Sequence, residues 1–368
     1  MTTGFATPDD TANFAKKQPN VAKNHFKKFA GLTLSSVGIG TYLGNPDDAT
    51  DKLVNEAIKA SIKSGINVID TAINYRSQKA ERTVGRAISE LVQAGELKRE
   101  EVFISTKNGY VTNDGDVKED FWINIQNTMV KPGVIQPGDI SSGYHCMTIP
   151  YLQDQLKRSL KNMNLDCIDL IYIHNAAEGQ LQDISKEEFI KKLEDVFRFY
   201  EEQRRNGVIK HYGMATWDCF RVTQDNPQYL SITEIVELAK KVGGKDNGFR
   251  FIQLPYNMYL DQALTMKNQK IGEEQYSILE SAIKLDIGVF ASVPLMQSKL
   301  LGPNIIPEFG GMSRSSHRAI QFVRSTPGII APLVGQKSQE HVQENLSILS
   351  TPVLNEIEFS DLIKKLSS

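Results

Sequence analysis

Residues 54–71 have the sequence VNEAIKASIKSGINVIDT, and they contain one unit of the pattern that predicts the fold. Val54, Ile58 and Ile62 recur at four-residue steps, which is the apolar stripe of a helix laid on a sheet. A short apolar run at residues 67–71 follows and is typical of a buried strand. The stretch therefore predicts a helix that leads directly into a strand.

The same alternation of strand and helix continues along the chain. Helical spacing separates eight short runs rich in valine, isoleucine and phenylalanine, at residues 36–41, 67–71, 102–107, 169–174, 209–214, 249–254, 288–292 and 328–334. Strands that alternate with helices pair in parallel through right-handed crossovers. Eight such units favour a closed barrel over a long open sheet. We therefore predict an α/β protein that forms a single (β/α)8 TIM barrel.

The segments around the repeats lead to further expectations. Ser185 with Glu188, and Ser231 with Glu234, have the spacing of capping boxes, so a helix is predicted to start near each. Residues 27–34 are predicted to form a hairpin that covers the bottom of the barrel. Residues 1–25 are polar with little periodicity, and we expect a loosely held extension before a barrel domain at 26–368.

The interval between the third and fourth predicted strands is too long for one helix, so residues 110–148 are predicted to be a loop inserted on the upper face of the barrel. Long loops on that face usually shape a binding site. Phe121, Trp122 and Tyr144 lie in this loop. They form either an apolar wall of that site or a cluster that packs only its own loop.

Composition excludes several classes of protein. The chain is 40% hydrophobic and 23% charged, as in ordinary globular proteins, and its formal charge of −2 gives no sign of nucleic-acid binding. Three widely spaced cysteines argue against a disulfide framework or a multi-cysteine zinc site. The sequence has no apolar run of membrane-spanning length and no signal-peptide core. We expect a cytoplasmic protein that does not bind membranes, with a monomer as the default.

Titratable residues follow three consecutive predicted strands. Asp70 ends the second, Lys107 ends the third and His174 ends the fourth, while Tyr75 lies in the loop after Asp70. Catalytic groups of such barrels lie at the carboxyl ends of the strands. Taken singly, an Asp after a strand is often a helix cap, and a Lys or His at the top of a barrel is often a solvated rim residue. Together they predict a proton donor in which the Lys107 ammonium favours ionisation of the Tyr75 phenol, Asp70 keeps Lys107 charged, and His174 orients a carbonyl oxygen.

The stretch VIDTAINY at residues 68–75, with Glu81, Val84 and Gly85 after it, resembles the first signature of the aldo-keto reductase superfamily. Lys107 and His174 stand where that family has its other two catalytic residues. The resemblance covers residues 28–349. It implies that the catalytic tetrad is Asp70, Tyr75, Lys107 and His174, with Tyr75 as the general acid that protonates an aldehyde or ketone.

The resemblance also implies a set of cofactor-binding residues at the ends of the strands. The turn Gly40-Thr41-Tyr42 resembles the one beneath the nicotinamide, and Gln253 matches the glutamine that binds its carboxamide. Ala215 stands where many relatives have serine, so Thr216 and Asn175 are expected to carry more of that contact. The remaining positions near the ring are Asp70, Ser292, Pro294 and Leu295, and Ser292 replaces an aromatic residue that often stacks on the nicotinamide.

The end of the last predicted strand favours NADPH as the cofactor. A glycine, a lysine and a helix N-terminus together form an anion site, which is the usual phosphate position of the barrel. In the resembling family this segment binds the adenosine 2′-phosphate and adenine, which assigns Gly335, Lys337, His341, Glu344 and Asn345 to the cofactor. His341 departs from the family pattern, where many relatives have arginine.

Two other classes of function remain as alternatives. A nucleotide-binding sensor or regulatory barrel would keep the same residues and turn over slowly. A Schiff-base aldolase would use Lys107 as its nucleophile, but it would not account for the pairing of Asp70 with Tyr75. No metal is expected, because Asp70 and His174 belong to no short ligand-spaced cluster. His145 and Cys146 are neighbours in the inserted loop and are interpreted as an incidental pair rather than as a metal site.

Overall fold

The computed structural model describes residues 1–302 and 305–366. Positions 303, 304, 367 and 368 of the predicted barrel domain lie outside this description. The strands are β1 Phe26–Phe29, β2 Leu32–Ser35, β3 Gly38–Gly40, β4 Val68–Asp70, β5 Phe103–Asn108, β6 Ile168–His174, β7 Ile209–Ala215, β8 Phe249–Pro255, β9 Gln269–Ile271, β10 Glu274–Tyr276, β11 Gly288–Ser292 and β12 Ile329–Gly335.

The helices surround and connect these strands. They are α1 Pro8–Lys16, α2 Asp48–Lys63, α3 Lys79–Gln93, α4 Phe121–Ile125, α5 Ile149–Met163, α6 Ala176–Gln180, α7 Lys186–Arg205, α8 Ile232–Gly243, α9 Gln262–Thr265, α10 Ile278–Lys284, α11 Ser315–Ser325, α12 Gln339–Ser347 and α13 Glu356–Leu366. Helices α7 and α8 begin at the predicted places, because the hydroxyls of Ser185 and Ser231 accept hydrogen bonds from the backbone N–H groups of Glu188 and Glu234.

Eight strands close into a barrel in the order β11-β12-β3-β4-β5-β6-β7-β8, and every pair is parallel. These are the eight strands predicted from the sequence, so the (β/α)8 fold is confirmed. The register aligns Asp70 with Ser105, and His174 with Ala215, at the same end of the barrel. Parallel pairing thus brings the carboxyl ends of all eight strands together.

The hairpin predicted at residues 27–34 is present and closes the opposite end of the barrel. Strands β1 and β2 pair antiparallel, and Leu32 and Leu34 are buried against the aromatic interior of the barrel. That interior includes Phe251, whose ring centroid lies 5.2 Å from that of Phe29 in the hairpin. Apolar side chains of the hairpin thus pack against the bottom of the barrel interior.

The N-terminal segment differs from the loosely held extension expected from the sequence. Residues Pro8–Lys16 form α1, with the Thr7 hydroxyl as its N-cap, and Phe14 is buried in the main core. The backbone N–H of Ala6 donates to the Asp169 carboxylate at 2.6 Å. Sequence periodicity missed this segment because a nine-residue helix with two buried side chains gives too short an apolar stripe.

The inserted loop at 110–148 lies at the carboxyl end of the barrel, as predicted. It contains α4, followed by one turn of π-helix at Gln126–Val130. Phe121, Trp122 and Tyr144 contact one another, with ring centroids 4.9 to 6.2 Å apart. None of the three lines the large cleft described below, so they form a cluster of the loop itself rather than a wall of that cleft.

Among the described residues, no helix combines the length and the apolar character needed to cross a membrane.

Candidate active site

The carboxyl ends of the strands surround a cleft of about 340 Å³. Asp70 on β4, His174 on β6 and Tyr75 in the loop after β4 all line it, and Lys107 on β5 lies fully buried beneath it. The four residues predicted to act together therefore converge, although they come from three strands and a loop. Strand pairing produces this arrangement, since β4, β5 and β6 are neighbours in the barrel.

Lys107 and Asp70 form a buried ion pair under the cleft. The Lys107 Nζ lies 2.5 Å from the Asp70 Oδ2 and also donates to the Thr71 carbonyl at 2.8 Å. Asp70 Oδ1 accepts from the Ser105 hydroxyl at 2.8 Å. Burial lowers the pKa of Lys107, and the adjacent Asp70 carboxylate opposes that shift. The ion pair that was expected to keep Lys107 charged is thus present.

Tyr75 differs from the sequence-based expectation. Burial raises the pKa of its phenol well above the ordinary value, and the negative charge of Asp70 raises this pKa further. In the resting protein, burial and the Asp70 charge outweigh any stabilisation of the phenolate by Lys107, so the expected shift of the Tyr75 pKa towards ionisation is absent. The Lys107 Nζ lies over the Tyr75 ring, 4.7 Å from its centroid. Tyr75 therefore keeps its hydroxyl hydrogen at neutral pH.

His174 presents a neutral imidazole to the cleft. Burial lowers the pKa of His174 well below its ordinary value, and the charge of Lys107 lowers it further. The ring centroid of His174 lies 5.9 Å from that of Tyr75, and no hydrogen-bond partner for its buried Nδ1 is found among the described residues. A neutral ring with an unpartnered nitrogen is suited to bind a polar atom of a ligand.

His145 contacts the backbone of His174, a structural role that the sequence did not predict. Its Nε2 lies 2.8 Å from the His174 carbonyl oxygen, and its Nδ1 lies 3.1 Å from the Gln180 amide nitrogen. The ring packs so closely on Gly109, which has φ +123°, that a Cβ there would lie 2.3 Å from Nε2. The two histidines are 29 positions apart, and no local sequence pattern links them.

A left-handed turn holds Tyr75 over the cleft. Arg76, Ser77 and Gln78 have φ values of 48°, 52° and 73°, which are unfavourable for side chains with a Cβ. Buried Arg76 forms an ion pair with buried Asp51 at the start of α2 and donates to Thr83 on α3. These contacts with two helices stabilise the unfavourable turn.

A family model gives the same picture from the sequence as a whole. The model of the aldo/keto reductase family matches residues 36–367, nearly the entire chain and all eight strands of the barrel. The chain belongs to the aldo/keto reductase family. This membership confirms the resemblance noted from residues 68–75.

Curated relatives match this aldo/keto reductase over parts of their length. An uncharacterized oxidoreductase of Bacillus subtilis, YqkF, is 26% identical over 50% of this chain and 46% of its own length. Aldose reductase C of Dictyostelium discoideum is 35% identical over 24% of this chain and 25% of its own length. The chain thus spans about half or less of the relatives that it matches.

Solved structures share the fold over nearly the whole chain. An aldo/keto reductase of Klebsiella pneumoniae, crystallised with NADP and acetate, is 19% identical, covers 94% of this chain and 95% of its own, and has a TM-score of 0.57. The glycerol dehydrogenase AKR11B4 of Gluconobacter oxydans is 18% identical, covers 94% and 96%, and has a TM-score of 0.62. At these identities the likeness establishes the barrel and its topology.

Most of the cofactor-binding residues predicted for this aldo/keto reductase line the cleft. Eleven of the fifteen are in its wall: Gly40, Thr41, Tyr42, Asp70, Asn175, Thr216, Gln253, Ser292, Pro294, Leu295 and Gly335. The amide nitrogen of Gln253 is buried and has no hydrogen-bond partner among the described residues. An unpaired buried donor is costly unless a ligand satisfies it, so Gln253 fits the predicted carboxamide contact.

Thr216 and Asn175 are less available than expected. The Thr216 hydroxyl donates to Glu178 Oε1 at 2.7 Å, and the Asn175 amide donates to the Tyr110 hydroxyl at 3.2 Å. The sequence shows no sign of these bonds because each joins residues from different loops. Of the three side chains expected to share one contact, Gln253 is the one with an unpaired donor.

The four predicted residues beyond Gly335 lie outside the wall of the cleft. Lys337 and His341 are exposed, and the Lys337 Nζ lies beside Gly44. Glu344 pairs with Arg314 at 2.6 Å, and the Asn345 amide donates to Gln336 at 3.1 Å. The Ser338 hydroxyl caps α12, so the helix N-terminus begins where the predicted anion site requires it.

Sequence reasoning missed several residues of the cleft wall. Tyr110 follows β5 by two positions, and its ring centroid lies 5.0 Å from that of His174. Its place just beyond a strand end is the signal that was available. Gln297 and Ser298 also line the cleft, in a second turn with positive φ. No group of three or more metal-binding side chains occurs within 1–302 and 305–366.

Proposed function

We propose that this protein reduces an aldehyde or ketone with NADPH and that Tyr75 is the general acid. The observation that carries the proposal is the convergence of a protonated phenol, a neutral imidazole and a buried Lys107–Asp70 pair at a cleft that also contains the unpaired amide of Gln253. The family membership supports the reaction class.

The residues of the cleft fit a nicotinamide. Gln253 would bind its carboxamide, the turn at Gly40 and Thr41 would lie beneath the ring, and Lys337 would face the 2′-phosphate at the N-terminus of α12. When bound, the reduced nicotinamide supplies the hydride. The NADP in the Klebsiella pneumoniae structure supports this choice of cofactor.

The chain itself moves the proton. His174 would hold the carbonyl oxygen of the substrate next to the Tyr75 hydroxyl, which keeps its hydrogen because burial raises the phenol pKa. An alkoxide is a much stronger base than a phenolate, so the transfer is favourable even from this weakly acidic phenol. The phenolate that results lies beside Lys107, whose charge stabilises it as the negative charge develops.

A Schiff-base aldolase needs an uncharged lysine amine, and Lys107 does not meet this requirement. Its side chain is fully buried, and its ammonium is bound by the Asp70 carboxylate and the Thr71 carbonyl. Both contacts favour the charged form, which is not a nucleophile. We therefore propose no lyase activity for this site.

A titration of the purified protein with NADPH and with NADH tests the proposal. Trp217 lines the cleft, so cofactor binding is expected to quench tryptophan fluorescence. The dissociation constant obtained from this quenching is expected to be lower for NADPH than for NADH. A panel of simple aldehydes is then added and NADPH oxidation is followed at its absorbance maximum. Binding with aldehyde-dependent oxidation supports the reductase. Binding without oxidation favours the nucleotide-binding sensor, and the absence of binding contradicts both.

A further inference from the structure

The turn after β7 carries Trp217 at the mouth of the cleft and is held by charged side chains on both sides. Trp217 lines the cleft and is 43% exposed. A large side chain on a free surface turn normally samples several rotamers. The contacts of this turn fix its backbone, and a fixed backbone restricts the rotamers that the indole can adopt.

Glu178 holds the N–H side of the turn. A single carboxylate oxygen, Oε1, accepts from the backbone N–H groups of Trp217 at 2.8 Å, Asp218 at 2.6 Å and Cys219 at 3.2 Å. It also accepts from the Thr216 hydroxyl at 2.7 Å. Three successive N–H groups that point at one oxygen form a small anion nest, and Glu178 fills it.

Arg221 holds the carbonyl side of the same residue. Its Nε and Nη2 donate to the Trp217 carbonyl at 3.0 and 2.8 Å, and its Nη1 donates to Gln262 at 2.9 Å. The Arg221 side chain is nearly fully buried. The two peptide groups that flank Trp217 are therefore bound by a carboxylate on one side and a guanidinium on the other.

Glu178 also connects this turn to the proton-transfer residues. It lies on the short helix α6, which directly follows His174 and Asn175 at the end of β6. The clamp formed by Glu178 and Arg221 thus links the backbone of Trp217 to the helix that follows His174. Movement of the turn would change the space beside the carbonyl position without displacing Tyr75 or Lys107.

We propose that Glu178 is a positioning residue which, together with Arg221, holds Trp217 as a fixed wall of the cleft and so selects carbonyl substrates by size and shape. This inference rests on the proposed reductase function for the identity of the substrate. Two substrates test whether Trp217 contributes to selection. A flat aromatic aldehyde would pack on a fixed indole, whereas a short aliphatic aldehyde would not reach it.

The first test measures the order of Trp217 and needs no turnover. The chain has two tryptophans, so Trp122→Phe leaves Trp217 as the only one. In that background we expect Glu178→Ala to increase the fast component of the time-resolved fluorescence anisotropy. Glu178→Gln keeps one oxygen acceptor and should stay closer to the parent, and Glu202→Ala on the exposed face of α7 is the matched control. Unchanged anisotropy in Glu178→Ala overturns the clamp.

The second test measures selectivity. The ratio of kcat/KM for the aromatic aldehyde to that for the aliphatic one should fall at least about fivefold in Glu178→Ala. An equal loss with both substrates, alongside a lower melting temperature, would mean a structural role only and would overturn the proposal.

A double-mutant cycle covers the case in which Glu178→Ala folds poorly. Trp217→Ala removes the indole but leaves the backbone groups that Glu178 and Arg221 bind. It should lower the ratio of kcat/KM for the aromatic aldehyde to that for the aliphatic one. Glu178→Gln alone should lower the ratio by a smaller factor than Glu178→Ala does, and in the Trp217→Ala background it should have no further effect on the ratio. Additive losses would overturn the proposal. If the parent oxidises no NADPH with any aldehyde, the reductase function fails, while the anisotropy still decides whether the clamp exists.

Discussion

Tyr75 is the residue whose chemistry most depends on its surroundings. Its phenol is buried beside a carboxylate and under an ammonium that the carboxylate already binds. These neighbours keep the phenol protonated in the resting protein. The Lys107 charge stabilises negative charge on the Tyr75 oxygen, and that charge develops only as the hydroxyl hydrogen leaves. Lys107 and Asp70 therefore stabilise the transition state more than the ground state.

Tyr75→Phe is therefore expected to lower kcat by about 100-fold or more, because it removes the proton donor and little else. The dissociation constant for NADPH should change very little, since the ring remains in place. Stopped-flow turnover and fluorescence titration measure the two quantities. Tyr144→Phe in the inserted loop serves as the control. Unimpaired turnover by Tyr75→Phe would remove Tyr75 from the mechanism.

Lys337 tests the cofactor preference. Its exposed ammonium at the N-terminus of α12 would face the 2′-phosphate, a group that NADH lacks. We expect Lys337→Ala to weaken NADPH binding by about tenfold and to leave NADH binding nearly unchanged. Lys364→Ala, another exposed lysine, is the control. Equal weakening of both cofactors would contradict the assignment.

At the scale of elements, the contact between α2 and α3 positions the catalytic turn. Asp51 on α2 binds Arg76 in the turn, Lys79 at 3.1 Å and Thr83 at 3.0 Å on α3. The turn carries three consecutive positive φ values, so it depends on these contacts more than a relaxed turn would. Sequence periodicity located both helices but gave no indication of this cluster.

Asp51→Ala should lower the free energy of unfolding by about 3–5 kcal/mol, because it leaves a buried guanidinium without its partner. Urea denaturation followed by circular dichroism measures the change. Asp48→Ala is a matched control: Asp48 binds the same Lys79 at 3.0 Å, but its side chain is 98% exposed. It should cost less than about 1 kcal/mol. Similar losses in the two variants would show that burial of the pair is unimportant.

At the scale of the whole molecule, buried neutral histidines make stability depend on pH. His25 joins the hairpin to the loop before β4: its Nε2 lies 3.1 Å from the Gly65 carbonyl and its Nδ1 3.0 Å from the Ser36 hydroxyl. Burial lowers the pKa of His25 to about 4, and the positive charges of Arg324 and Lys27 add to this effect. The unfolded chain therefore binds a proton at a higher pH than the folded protein does.

The stabilisation from neutral His25 is complete above pH 6.5 and is lost as the pH falls from 6.5 towards 4, by about 3 kcal/mol for this one group. Burial likewise lowers the pKa of His145 to about 4, so protonation of His145 adds to the loss of stability between pH 6.5 and 4. Urea unfolding at several pH values measures the slope. His25→Gln should make the slope shallower between pH 6.5 and 4, and an unchanged slope would contradict the role of His25.

The sequence by itself determined the barrel, its eight strands and the convergence of Asp70, Lys107 and His174. Periodicity reports which face of each element is buried, and parallel pairing then brings all strand ends together regardless of loop detail. The resemblance at residues 68–75 added the proposed chemistry and most of the cleft wall. These features depend on local patterns that a single chain displays.

Only the tertiary structure decided the direction in which the pKa of Tyr75 shifts, the partners of Glu178 and the role of His145. Each depends on groups brought together from distant loops, such as Glu178 and the turn at residues 216–219, whose separation along the chain carries no periodic signal. The position of the segment before α1 was likewise decided by a contact with a residue far along the chain. Burial and neighbouring charge are properties of the assembled molecule, so they set these energies after the fold has formed.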